Sequence, residues 1–250
     1  MRIDADCHLA APSNGTGIGA DELLRRLDEV GVDRAITWPM VSYRRDIAPD
    51  NAAIHAAWQA HPDRIIPFGG VNPMLGVAEA AQELERCIDN GVRGIKLNGA
   101  RDGYAIDDPV LSLPLIERIA GAGLALAFHC GVNDLERTHP WRIARISAQF
   151  PELNILLVHM GGSGSPDMAQ SVIDLATENP RWLLIDSEAD YRKVLLALNT
   201  LGAERLCYGS DTPFCPMRYE WGLRQVVYQD LSAAQRDLVL GGNIARVLGL

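Results

Sequence analysis

The chain has 250 residues, of which 48% are hydrophobic and 22% charged. That composition excludes a mainly disordered chain and needs no disulfide frame to fold. Lys+Arg 23 against Asp+Glu 32 leaves a formal charge of −9 with lysine nearly absent, which argues against a nucleic-acid surface.

Apolar, strand-like runs alternate with amphipathic helical runs along the whole chain. Residues 2–8 read as the first strand and 20–30 as a helix, with Leu23, Leu24, Leu27 and Val30 on one face and Gly31 as its stop. Strand 34–39 precedes helix 51–60, and strand 65–71 precedes helix 77–89, whose stripe is Ala81, Leu84 and Ile88. Strand 94–98 and helix 109–122 follow, then strand 125–131 and helix 141–149. Strand 154–161 leads into helix 167–178, and strand 182–187 into helix 190–201. Strand 205–211 is followed by a helical tail, 219–250, broken near Gly241-Gly242.

The strands are short and almost wholly apolar, as in a parallel sheet covered on both faces. Eight such β/α units in one chain of this length predict an α/β fold, a single-domain (β/α)8 TIM barrel over residues 1–250. A doubly wound sheet is the competitor, but no glycine-rich phosphate fingerprint follows the first strand. The run Asn14–Gly19 has neither dinucleotide nor phosphate-loop spacing and reads as a flexible loop beside the active site.

No apolar leader opens the chain, and the most apolar run, 119–132, is shorter than a membrane span and contains His129. A cytoplasmic protein without membrane contact is the expectation. Five cysteines, at 7, 87, 130, 207 and 215, are odd in number and show no CxxC spacing. They read as buried thiols in a reducing compartment. The basic pair Arg44–Arg45 stands beside Asp46 and reads as a solvated loop.

In a parallel barrel the reactive groups sit at the C-terminal ends of the strands. Here those ends carry Asp4, Asp6 and His8, then Lys96 and Asn98, His129, His159 and Asp211. Period-two alternation puts Asp4, Asp6 and His8 on one face and Lys96 with Asn98 on another, both toward the barrel mouth. Imidazole and carboxylate donors converging there suit Zn²⁺, Mn²⁺ or Fe²⁺. A His off the metal would serve as general base. Lys96 reads equally as a site residue or an ion-pair partner. Cys7 and Cys130 alternate to the opposite face as packing residues, and His55 and His61 read as surface residues.

Several motifs resemble the amidohydrolase superfamily, in particular its amidohydrolase 2 branch. Ile3-Asp4-Ala5-Asp6-Cys7-His8 is similar to the opening D-x-H-x-H motif, and Gly94-Ile95-Lys96-Leu97 to the strand-four motif. Phe150-Pro151-Glu152-Leu153-Asn154 running into Val158-His159-Met160-Gly161-Gly162 matches the branch pattern. So do Tyr208-Gly209-Ser210-Asp211-Thr212-Pro213-Phe214 and the C-terminal run Gly241 to Leu248. The branch contains aminocarboxymuconate-semialdehyde-decarboxylase-like proteins, resorcylate-type decarboxylases and lactone hydrolases. The resemblance implies that Asp6, His8, His129 and Asp211 hold one divalent metal ion, with Zn²⁺ first and Mn²⁺ second. It implies that His159 orients or deprotonates water and that Asp211 also carries a proton. Lys96 matches a bridging carboxylated lysine of binuclear relatives; the branch usually holds one metal, so it reads here as a pocket residue. Asp6 departs from the first His of the H-x-H pair, where the resorcylate-type decarboxylases carry Glu.

Three functions compete. The first is a metal-dependent hydrolase acting on a small-molecule lactone, amide or related carbonyl. The second is a metal-dependent non-oxidative decarboxylase of an aromatic or unsaturated acid. The third is a metal-free barrel that binds a small ligand. The pocket is expected to include Lys96, Asn98, Arg101, His139, Arg142 and Trp38, with Tyr43, Arg44, Arg137, Trp141 and Phe214 as further wall candidates. Arg101 and Arg142 would clamp an acidic substrate. The resemblance suggests a homodimer.

Overall fold

The computed structural model describes residues 1–40, 46–131, 133–162 and 166–250, with the side chain of Pro166 excepted. Tyr43, Arg44 and Arg45 lie outside the described residues. Eight strands are present: β1 Ile3–Leu9, β2 Arg34–Pro39, β3 Ile65–Gly70, β4 Gly94–Leu97, β5 Ala125–His129, β6 Ile155–Val158, β7 Trp182–Ile185 and β8 Leu206–Cys207. They form one sheet in sequence order, and each neighbouring pair is parallel. The ends of the sheet meet: Ala5 N–H donates to Tyr208 O at 2.9 Å and His8 N–H to Thr212 O at 2.7 Å. The molecule is therefore the closed (β/α)8 barrel that the alternation of runs predicts.

Side chains divide cleanly into two layers. Ile3, Ala5, Ile36, Trp38, Phe68, Ala127, Leu156, Ile185 and Cys207 fill the barrel interior. Cys7, Leu9, Ala35, Ile95, Leu97, Leu126, Phe128, Cys130, Leu157 and Leu184 point outward and pack against the helical ring. Cys7 and Cys130 thus stand on the helix side. Ile244 of the last helix, Asn243–Leu248, packs against the interior set and plugs the barrel at the end away from the strand C-termini.

Helices Ala20–Val30, Ala48–Ala60, Val77–Asp89, Leu113–Gly121, Pro140–Gln149, Pro166–Ala176 and Tyr191–Leu201 fill the positions read from periodicity. The tail differs. Met217–Val227 ends well before Ala233–Asp237, and a π-turn over Leu238–Gly242 leads into the final helix. The tail therefore breaks twice, at Tyr228–Ser232 as well as at the glycine pair. Ser232 and Gln235 form a capping box that restarts the helix. No helix among the described residues is long and apolar enough to cross a membrane. His55 and His61 are half-buried on and just after the helix Ala48–Ala60.

Asn51 shows how the helical ring is tied to the barrel. Its Nδ2 donates to Gly70 O at 2.9 Å and to Glu83 Oε1 at 2.6 Å, and its Oδ1 accepts from Gly70 N–H at 2.9 Å. One buried amide satisfies the end of β3 and a carboxylate of the next helix. Asn51→Ala should destabilise the fold by about 2–3 kcal/mol, because those partners stay buried without a replacement. Urea unfolding checks this; a midpoint equal to the parent's would show that the amide contributes nothing net.

Candidate active site

β1 is not a regular strand. Ile3 and Asp4 pair with Arg34 and Ala35, whereas Cys7 and His8 pair with Thr37 and Trp38. Two residues, Ala5 and Asp6, therefore oppose the single Ile36, which is a β-bulge. The bulge changes the phase of alternation. Ile3 and Ala5 face the interior before it, and Cys7 and Leu9 face the helices after it. Asp6 and His8 are consequently turned inward, while Asp4 is not on their face, contrary to the period-two expectation. Asp4 Oδ1 instead accepts the backbone N–H groups of Asp6 and Ser210, each at 3.0 Å. It acts as a brace between β1 and the segment after β8, and burial pushes its pKa up to about 7.

β6 and β8 end sooner than their apolar runs suggest. His159, Met160 and Asp211 have φ of 62°, 51° and 55°, and Glu188 after β7 has φ of 53°. Such left-handed backbone costs a non-glycine residue about 1–2 kcal/mol and cannot continue a strand. The chain turns there, and His159, Glu188 and Asp211 line one cleft. Two glycines permit the tight packing of these turns. A Cβ on Gly131, at φ 91°, would lie 2.0 Å from Gly161 O, so the ends of β5 and β6 approach only without it.

Four side chains meet at the centre. His8 Nε2 lies 3.4 Å from Asp211 Oδ1 and 3.7 Å from Asp6 Oδ1. His159 Nδ1 lies 3.7 Å from Asp6 Oδ2, and donor atoms of Asp6, His159 and Asp211 all fall within 4.8 Å of one another. His8 Nδ1 bonds Pro39 O at 2.9 Å. A carbonyl only accepts, so Nδ1 carries the proton and Nε2 keeps its lone pair. Trp38 Nε1–H donates to that Nε2 at 3.2 Å. Lys96 Nζ stands 3.6 Å from Asp6 Oδ1, 3.5 Å from His8 Nε2 and 3.9 Å above the Trp38 ring.

The charges are set by burial and by one another. Burial, with the Lys96 ammonium second, holds His8 down at about 3, so the imidazole is neutral at pH 7. Burial also lowers His159 and Lys96. Asp6 is held below the usual carboxylate range although burial opposes it, because Lys96, His159 and His8 surround it. Burial and the Asp6 charge push Asp211 well above that range. Two carboxylates in one site are thus driven apart, one anionic and one inclined to hold a proton.

This donor set fits a divalent cation on an observation of its own. Asp6 Oδ1 is fully buried and accepts no hydrogen bond; the Lys96 ammonium, 3.6 Å away, balances its charge without occupying its lone pairs, which leaves them open to a metal ion. Neutral imidazole and carboxylate are ligands for zinc or manganese.

Lys96, Asn98, Arg101, His129, Asn133 and Phe214 line the same solvent-open cleft of about 610 Å³. His129 is on its wall, edge-on to His159 at 5.1 Å between ring centres, with Nε2 bonded to Asn133 Oδ1 at 2.9 Å. Trp38 is fully buried beneath the centre rather than on a substrate wall. His139 and Arg142 stand elsewhere. His139 Nδ1 accepts from Trp141 N–H at the start of Pro140–Gln149, and Arg142 pairs with Asp107 at 2.6 Å. Both border a separate surface cleft with Leu135, Trp141 and Arg145. Gly131 N–H donates to Thr138 O at 3.2 Å and Thr138 Oγ–H to Gly131 O at 3.0 Å, joining the end of β5 to the start of the helix that carries Arg142. The glycine-rich 14–19 run likewise borders another groove, with Ala53, Ala56 and Ala57.

Ser187, Glu188 and Asn133 were not singled out by sequence. Ser187 Oγ–H donates to Asp6 Oδ2 at 2.5 Å and lies 3.0 Å from His159 Nδ1. The signal was present: Asp186-Ser187-Glu188 is a polar triplet directly after the apolar run of β7, the place where the other strands carry their site residues.

Fold and site together define a (β/α)8 barrel with a buried histidine–carboxylate centre at the strand C-termini. A family model described as amidohydrolase matches residues 3–250; the chain belongs to the amidohydrolase family, in its amidohydrolase 2 branch. It is 25% identical over 229 residues to 2-amino-3-carboxymuconate-6-semialdehyde decarboxylase of Dictyostelium discoideum, covering 76% of this chain and 62% of that protein's length. It superposes on a dihydroxybenzoic acid decarboxylase from Polaromonas sp. JS666, solved with bound manganese and 2-nitroresorcinol, with a TM-score of 0.73 and 19% identity over 100% of this chain and 97% of that one. A probable 2-pyrone-4,6-dicarboxylic acid hydrolase from Acinetobacter baumannii, solved with citric acid, gives a TM-score of 0.73 and 17% identity over 100% and 99% of the two chains.

Proposed function

We propose that this chain is a metal-dependent hydrolase of a small carboxylic acid, cleaving a lactone, amide or related carbonyl bond. The observation that carries the reading is the buried Asp6 Oδ1 without a hydrogen-bond partner, beside His8 and Lys96, in a group whose other donors are Asp211 and His159. Asp6, His8, His129 and Asp211 would hold the ion, His8 by releasing the Trp38 indole N–H and His129 by releasing Asn133. The ion would supply Lewis acidity toward the substrate carbonyl and acidify water. Zn²⁺ is the first choice and Mn²⁺, which a carboxylate-rich set also accepts, the second.

The chain's own groups do the rest. His159, neutral and with Nδ1 engaged by Ser187, takes a proton from water at Nε2. Asp211, beside His8 at the same centre, passes that proton on to the leaving group. Arg101 and Asn98 at the rim of the cleft bind the substrate carboxylate.

A second reading, non-oxidative decarboxylation, is favoured by the carboxylate at position 6 and by the decarboxylase relative. There Asp211 would deliver the proton to carbon. A panel of lactones, amides and aromatic or unsaturated acids separates the two. Release of acid or alcohol without CO₂ supports hydrolysis, whereas CO₂ release matched to substrate loss overturns it in favour of the lyase. Arg101→Ala should raise KM for an acidic substrate about tenfold, the loss of a charge-assisted contact of roughly 1.4 kcal/mol; an unchanged KM would remove Arg101 from recognition.

A further inference from the structure

Ser187 follows β7 and is fully buried, yet neither the ion-binding set nor the acid–base pair uses it. Its hydroxyl has one proton, and that proton is donated to Asp6 Oδ2 at 2.5 Å. His159 Nδ1 lies 3.0 Å from the hydroxyl oxygen, Ser187 Oγ, and 3.2 Å from the Ser187 carbonyl oxygen. With the hydroxyl proton committed to Asp6, and a carbonyl able only to accept, the proton between Ser187 and His159 must sit on Nδ1. The ring that lines the cleft then presents Nε2 as its basic nitrogen.

The same bond acts on Asp6. It occupies Oδ2 and leaves Oδ1, the oxygen without a hydrogen bond, toward His8 and Lys96. Asp6 Oδ2 is 3.7 Å from His159 Nδ1. With no hydroxyl between them, the carboxylate and the Nδ1–H would pair directly, drawing Asp6 away from the centre. The Ser187 backbone is also held firmly. Arg224, buried beneath, donates from Nη2 to the carbonyls of Asp186 at 2.5 Å and Ala189 at 3.2 Å, on either side of the Ser187–Glu188 pair.

We propose that Ser187 is the positioning residue of this centre, one hydroxyl that fixes which Asp6 oxygen and which His159 nitrogen face the cleft. The assignment rests on the reading of Asp6 as a ligand and His159 as the base. It goes beyond that reading by naming the group that keeps the two apart. Groups one step removed from a metal typically change affinity 10–100-fold when lost.

The test has two arms on the intact chain. In the first, ¹⁵N-edited imidazole spectra of the metal-free protein are assigned with His159→Asn. The expected wild-type state is His159 protonated at Nδ1, and in Ser187→Ala the Nδ1 proton resonance shifts as its acceptor becomes the Asp6 carboxylate. A wild-type Nε2–H tautomer, or a resonance unmoved in Ser187→Ala, overturns the proposal. In the second, Zn²⁺ affinity is measured by competition with a chelating dye. Ser187→Ala should bind Zn²⁺ about 10–100-fold more weakly, and equal affinity overturns the proposal. Ser187→Cys, a weaker donor of similar shape, should fall between the two and serves if the alanine variant does not fold. A wild-type protein that binds no metal defeats the functional reading, while the imidazole spectra still decide the role of Ser187.

Discussion

Asp6→Asn is expected to abolish tight metal binding and to lower kcat/KM by about 10³-fold or more, roughly 4 kcal/mol. Asn matches Asp in shape but carries no charge, and its amide cannot offer two acceptor oxygens. Ser187 Oγ would keep a partner, whereas the oxygen now facing His8 and Lys96 would lose its charge. The Lys96 ammonium would stay buried without its nearest carboxylate, so the change also lowers thermal stability. Asp6→Glu discriminates the chemistry from mere packing. It restores the charge with one more carbon of reach and should keep the metal with a reduced rate. Metal content and kcat/KM of the two variants check this; an Asn variant that keeps full metal occupancy would remove Asp6 from the ligand set.

His159→Asn is expected to lower kcat by 10²–10⁴-fold, the usual contribution of a positioned acid–base group, while leaving metal content and KM close to the parent's. The reason lies in the division of the ring. Nδ1 is turned to Ser187 and is 3.7 Å from Asp6, so the side chain meets the centre through a protonated nitrogen and the cleft through Nε2. A group that only moves a proton affects the rate more than ground-state binding. Loss of the metal in this variant would instead make His159 a ligand, in the group it forms with Asp6 and Asp211.

The barrel was legible because its cause is local. Eight apolar runs alternating with 3.6-residue stripes leave few architectures, and the inner and outer layers follow from strand alternation. His8, His129, His159 and Asp211 were legible as a set, since several ionisable side chains together at strand C-termini have few bland explanations, whereas Lys96 reads equally as an ion-pair partner. What escaped was decided by backbone geometry. The bulge at Ala5-Asp6 separates Asp4 from Asp6 and His8, and no alternation rule reveals an extra residue whose partner strand is unknown. The left-handed turns at His159 and Asp211 shorten β6 and β8 for the same reason. His139 and Arg142 were placed by nearness in sequence to β5, whereas the pairing of Arg142 with Asp107 directs that loop elsewhere. Ser187 is a small polar residue whose importance appears only when Asp6 and His159, 181 and 28 positions away, are seen on either side of it.

Asp6, His8, His129 and Asp211 are proposed to bind one divalent ion. The metal content of the purified protein, measured by plasma mass spectrometry beside His129→Ala and Asp6→Asn, tests it most directly. About one Zn or Mn per chain is expected in the parent, with that ion lost in both variants. A parent that remains metal-free after reconstitution with Zn²⁺ and with Mn²⁺ would overturn it and leave Lys96 as the cation that faces Asp6.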